Sequence, residues 1–176
     1  MFEGIKKKIA GYVIESKIID KDRQAQSFKG IFQEATYFFV VISEDENDFY
    51  HCFETVKFLL QEKKNVTIFI NESKLKLVQN SALVTTVTYS EKDVTKLMLP
   101  SKELRASLSR LSYEAVIDLN RKENLFCSAA ANLVKSDIRM GFVKPGADKF
   151  YNLQFANGDE KPEVSYRKLK TSLQMF

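Results

Sequence analysis

The segment Tyr37-Phe38-Phe39-Val40-Val41-Ile42 is an unbroken run of aromatic and β-branched residues. Such a run suits a strand covered on both faces, as strands of a parallel sheet are, and it is far too short to span a bilayer. Ser43-Glu44-Asp45-Glu46-Asn47-Asp48 follows and places carboxylates where the positive end of a helix dipole favours them. Phe49, Cys52, Phe53, Val56, Leu59 and Leu60 then recur at helical spacing, with Glu54, Lys57, Gln61 and Lys64 on the outer side. Val66-Thr67-Ile68-Phe69-Ile70 reads as a second strand. Strand, helix and strand within about 35 residues is the size of one right-handed crossover unit, so the two strands are expected to lie parallel.

The rest of the chain continues the alternation. A helix is expected over 2–19, with Ile5, Ile9, Tyr12, Val13 and Ile18 on one face and Lys6, Lys7, Lys8 and Lys17 around it, then a polar linker over 20–35. A short helix at 74–78 and a strand at 84–89 come next, and 90–100 is open between a loop and a short strand at 96–99. Ser101 is a capping residue for a helix over 101–110. Glu114–Leu119 is the fourth strand, with Asn120 placed to cap a helix whose apolar face is Leu125, Phe126, Ala129, Ala130, Leu133 and Val134. Strands at 138–142 and 150–155 and a helix from 161 to 175, with Pro162 at its start, complete the pattern. The expected fold is α/β, a single Rossmann-like domain over 36–176 behind an N-terminal helix and linker over 1–35. Its open, mainly parallel sheet has five to six strands in the order 3-2-1-4-5, with helices on both faces.

A chain of 176 residues, 44% hydrophobic and 28% charged, can bury a core without disulfides or a structural metal. Its two cysteines, Cys52 and Cys127, and its single histidine, His51, have no partners at metal-ligand spacing, and no cofactor or metal is expected. Both cysteines fall on or beside apolar helix stripes, where packing is the expected role. Residues 1–30 and 161–176 each carry a net charge of +3, whereas the body between them carries −2. That distribution argues against nucleic acid, whose recognition needs clustered cations on the folded module. The lysines around the first helix leave contact with a membrane surface through residues 1–19 open, with packing on the domain or on a second copy as the favoured reading. No apolar segment has the length of a secretory signal, so the cytoplasm is the expected location.

In an open parallel sheet the ligand crevice lies beyond the carboxyl ends of the strands where strand order reverses, here between the first and fourth. That rule selects Ser43, Glu44, Asp45 and Asp48 from one loop and Asp118, Asn120, Arg121 and Lys122 from the other. Carboxylates beside cations can bind a hydroxyl-rich ligand or supply a base, and the same groups serve equally as helix caps and ion pairs. No glycine follows the first strand and no P-loop sequence occurs, so a phosphate cradle of the usual kind is not expected.

From Tyr113 to Phe155 the sequence resembles a known family. Tyr113-Glu114-Ala115-Val116-Ile117-Asp118-Leu119-Asn120, then Ser128 in a small-residue helix, then Ile138-Arg139-Met140-Gly141-Phe142, is similar to the N-terminal half of the heptosyltransferases, the family-nine glycosyltransferases of lipopolysaccharide assembly. The resemblance implies the acceptor-side half of a two-domain transferase whose nucleotide-sugar half is absent here. It places Asp45 near the position of the base that acts on the acceptor hydroxyl, although Ser43-Glu44-Asp45 replaces that family's Gly-Asp pair. It also matches Asp118 and Arg139 to motif positions, where a strand-end Asp can cap a helix and an Arg before a turn can bind carbonyls. The leading expectation is a stand-alone, catalytically reduced heptosyltransferase-like domain acting as a binding or interaction module. Asp118, Asn120 and Arg121 would be its ligand-binding residues, and a sugar, a glycolipid, a protein partner or a second copy its partner. The alternative is half of a split glycosyltransferase completed by a partner chain, with Asp45 catalytic.

Overall fold

The computed structural model describes residues 2–19, 30–78, 84–158 and 161–175. Six parallel strands form one sheet in the order β3-β2-β1-β4-β5-β6: β1 Tyr37–Val41, β2 Asn65–Asn71, β3 Thr85–Tyr89, β4 Ala115–Asp118, β5 Ile138–Phe142 and β6 Leu153–Phe155. Phe38 is in register with both Val66 and Ala115, and Val41 with both Phe69 and Asp118, so β1 sits at the centre. The expected order is extended by β6, which pairs with β5.

Alternation along the strands sorts side chains to two faces. Phe38, Val40, Val66, Ile68, Ala115, Ile117, Met140 and Phe155 point to a core covered by α2 Ile31–Glu34, α3 Glu46–Gln61 and α7 Pro162–Leu173. Phe39, Val41, Phe69 and Val116 point to the other, covered by α4 Lys102–Leu108 and α5 Leu125–Leu133. Phe38 and Phe39 are both wholly buried, each stabilising the fold by about 2–3 kcal/mol. α5, with the sequence Leu-Phe-Cys-Ser-Ala-Ala-Ala-Asn-Leu, is narrow enough to be a middle layer. Its Ala129 packs outward with Ala10 and Ile14 of α1 Phe2–Lys17, together with Ala147 and Phe150 of α6 Ala147–Phe150.

Several expectations are corrected. The docked face of α1 is Ala10 and Ile14 with half-buried Val13, whereas Ile5, Ile9 and Tyr12 are 54%, 47% and 73% exposed. The small-residue surface of α5 admits the small residue of α1, and the larger side chains face out. Ile31, Phe32 and Ala35 are core residues, so the C-terminal end of the expected linker belongs to the domain; positions 20–29 of that linker lie outside the described residues. The helix expected at 74–78 is a 3-10 segment, Glu72–Leu77. Between Tyr89 and Ser101 the chain forms turns closed by one antiparallel bridge, Val94 to Pro100. The expected strand at 150–155 is shorter, because Phe150 ends α6. The cap of α5 is Asn124, whose Oδ1 accepts from Cys127 N at 3.0 Å, rather than Asn120. Among the described residues no helix is long and apolar enough to cross a membrane.

Candidate functional site

The loop leaving β1 turns into α3 through Asp45, whose Oδ1 accepts from Asn47 N at 3.0 Å and caps the helix. The loop leaving β4 runs alongside it, because β1 and β4 end in register. The two loops are stitched together: Lys122 Nζ donates to Asp45 Oδ2 at 2.5 Å, Arg121 Nε to Asp48 Oδ1 at 2.9 Å, and Glu44 N to Asn120 Oδ1 at 3.3 Å. Six of the eight residues selected by the switch-point rule are joined by these bonds; Ser43 Oγ accepts from Asp45 N in its own loop at 3.2 Å, and Asp118 bonds Asn120 beside it.

Asp118 ends β4 and is wholly buried. Its Oδ1 accepts from the backbone N–H of Asn120 at 3.0 Å and from Asn120 Nδ2 at 2.6 Å; its Oδ2 accepts from Lys144 Nζ at 3.0 Å and from the Tyr151 hydroxyl. Lys144, itself almost fully buried, also donates to Asn120 O at 2.6 Å. Tyr151 shares a hydrogen bond with Ser128 at 2.9 Å. The Tyr151 ring lies over Gly141, where an added Cβ would stand 2.8 Å from ring carbons. Three motif residues, Asp118, Ser128 and Gly141, thus converge on one tyrosine. The fourth, Arg139, donates to the carbonyls of Val134, at 2.7 Å, and Ser136. All four build the packing of β4, α5 and β5 against the segment behind them.

Asp48 is buried as well, with Oδ1 on Arg121 and with no hydrogen bond to Oδ2 among the described residues. Arg121 Nη1 reaches Asn157 Oδ1 at 3.5 Å and Ser165 Oγ at 3.4 Å, so the guanidinium ties α3 to α7 and to the loop after β6. The Glu44 carboxylate accepts from Tyr89 at 2.5 Å and from Asn124 Nδ2 at 3.4 Å. Lys144, Tyr151, Tyr89, Asn124, Asn157 and Ser165 escape the sequence reading. A glycine inside β5 was the available signal, since such a glycine marks close approach by another group.

The electrostatics follow from these contacts. The hydrogen bond from Lys122 holds the Asp45 carboxyl below the usual carboxylate range, with the Asn47 amide acting in the same direction. Burial pushes the Cys52 thiol up to about 12, and the Cys127 thiol is raised chiefly by burial too. Neither is a nucleophile at neutral pH. Tyr151 is held protonated by burial and by the Asp118 charge. His51 is half-buried on α3 and stacks on Tyr166 at 5.7 Å, away from the basin. Among the described residues no three His, Cys, Asp or Glu side chains gather as a metal site would.

What stays open is a shallow basin of about 500 Å³ at the carboxyl ends of β4 and β5, lined by Arg121, Lys122, Glu123, Val143, Lys144, Pro145, Asn157 and Gly158. A more apolar groove of about 410 Å³ lies on the far side of α3, between Phe49, Phe53, Leu60 and Val84. Its charged residues, Glu54 and Lys57, pair with each other at 2.9 Å, which leaves that groove chiefly apolar.

The structure of E. coli ADP-heptose lps heptosyltransferase II is similar to this chain with a TM-score of 0.40 at 14% sequence identity, over 86% of this chain and 53% of that one. It is a distant structural resemblance, and the chain spans about half the length of that protein. None of the curated proteins matches the sequence. Residues 6–176, from the first turns of α1 to the end of the chain, match the family of unknown function DUF6913, and the chain belongs to that family.

Proposed function

We propose that this chain is a catalytically reduced heptosyltransferase-like domain that binds a hydroxyl-rich ligand in the basin rather than transferring a group to it. The observation that carries this reading is the engagement of the crevice carboxylates. Asp45, the residue that the sequence resemblance sets in the base position, is a helix cap and the partner of Lys122, with its proton affinity lowered. A general base working near neutral pH needs the opposite shift. Asp118 already accepts four hydrogen bonds and has no capacity left for a substrate. Glycosyl transfer also requires two substrates held in contact, and the basin is a single shallow concavity.

The ligand class follows from the lining. The cations Arg121 and Lys144 are matched by Asp48 and Asp118, so the basin does not offer the unbalanced positive charge that a phosphate would need. Lys122 and Glu123, exposed at the rim and each with one ion-pair partner, keep further donors and acceptors to offer side by side, which suits a sugar.

Titration of the labelled protein with free hexoses and with an ADP-sugar, followed by amide NMR, tests this. The expected result is saturable shifts at residues 121–123, 143–144 and 157–158 while the ADP-sugar is recovered intact. Release of ADP that Asp45→Ala abolishes would establish the transferase reading instead. Absence of shifts at these amides with every sugar would remove the basin as a binding site.

A further inference from the structure

α1 is amphipathic in an unusual sense, because the face that docks on the domain is the one with the smaller side chains. Ala10 and Ile14 are wholly buried against α5 and α6. At 100° per residue, Ile5, Ile9 and Tyr12 form a stripe roughly opposite them, and all three are about half exposed or more. Lys6 and Lys8 lie on the two shoulders of that stripe, both exposed and, among the described residues, without an ion pair. The charges nearer the body are spoken for: Lys7 pairs with Glu123 at 2.8 Å, and Glu15 with Lys149 at 2.5 Å. The buried contacts of Ala10 and Ile14 set the helix's rotation, and these two ion pairs at its flanks are consistent with the stripe facing outward.

We propose that this outward stripe of α1 rests on an anionic lipid surface, with Ile5, Ile9 and Tyr12 in the headgroup–acyl boundary and Lys6 and Lys8 on lipid phosphates. An apolar stripe with a cation on each shoulder is the arrangement that lets lysine stems run along the apolar surface while their ammonium groups meet headgroups. The charge selects lipid over a second copy of the chain. Pairing two stripes would bring Lys6 and Lys8 of both helices together, and Glu15, the acid on the Lys8 side, is already engaged. The proposal is independent of what the basin binds.

Co-sedimentation of the full chain with phosphatidylglycerol–phosphatidylcholine vesicles and with pure phosphatidylcholine vesicles is the test. Binding is expected to the anionic vesicles only and to weaken with added salt. Replacing both Ile9 and Tyr12 by Glu is expected to lower the affinity by more than about tenfold, because it removes buried apolar area and adds charge of the wrong sign. Lys6→Gln and Lys8→Gln are expected to cost about fivefold each. All of these positions are exposed, and an unchanged thermal midpoint verifies that the variants fold. Equal binding to neutral vesicles, or affinity unaffected by the Ile9/Tyr12 pair of substitutions, would overturn the proposal. So would a concentration-dependent dimer that those substitutions dissolve in the absence of any vesicle binding.

Discussion

Two lysine–carboxylate pairs stand at the same end of the sheet and differ in everything except chemistry. Lys122 meets Asp45 at 2.5 Å with its side chain 73% exposed, whereas Lys144 meets Asp118 at 3.0 Å with both side chains almost wholly buried. The shorter contact is the weaker one. Water screens the rim pair and a long side chain must be immobilised to form it, so its contribution to stability is small. The inner pair has given up its hydration, and breaking it strands a charge in a poorly polarisable interior. The inner carboxylate is also the hub of a set of bonds from Asn120, Lys144 and Tyr151. Burial, rather than distance, separates the part of the crevice that holds the fold from the part that can meet a ligand.

The contrast breaks most visibly at the hub. Asp118→Ala is expected to destabilise the protein by about 3–5 kcal/mol in urea unfolding, because Lys144 loses its counter-charge. A loss under 1 kcal/mol would put the inner pair on a par with the rim. Gly141→Ala acts on the same cluster through space, pressing a methyl into the Tyr151 ring, and a cost of about 1–3 kcal/mol is expected. Tyr151→Phe keeps the ring and removes the hydroxyl between Asp118 and Ser128, for which calorimetry should read about 1–2 kcal/mol.

At the rim, Lys122→Ala should leave the urea midpoint nearly where it was, and the pH dependence that Asp45 contributes should be confined to the acid range. Since its folded carboxyl is held below the ordinary range, the stabilisation it brings is complete above that range and is lost as pH falls through the folded value. Comparing the acid limb of the stability curve in Asp45→Asn with the parent isolates that contribution. A difference that instead grows above neutral pH would contradict the assignment.

The sheet was legible because strands buried on both faces leave long apolar runs, as in Tyr37–Val41, and because the α3 stripe is regular. Switch-point geometry then placed Asp45, Asp48, Arg121 and Lys122 together without any motif. Which face of α1 docks was not legible, since periodicity finds an apolar stripe and cannot say whether it is covered; Ala10, outside the expected stripe, makes the contact. Nor could spacing choose between Asn120 and Asn124 as a cap, because that depends on where β4 ends and how the loop bends. Lys144 and Tyr151 were hidden for a similar reason: their partner Asp118 lies more than twenty residues earlier, and only tertiary packing joins them.

The placement of β1 has a consequence for biosynthesis. Its two neighbours are β2 and β4, and the register joins Phe38 to Ala115, so one edge of the most apolar strand stays bare until β4 has left the ribosome. No hairpin can shield it meanwhile, because parallel neighbours are joined only by crossovers. The nascent chain therefore carries Phe38-Phe39-Val40-Val41 on an open edge through the translation of the intervening residues, the stage at which that edge is exposed to pairing with another chain.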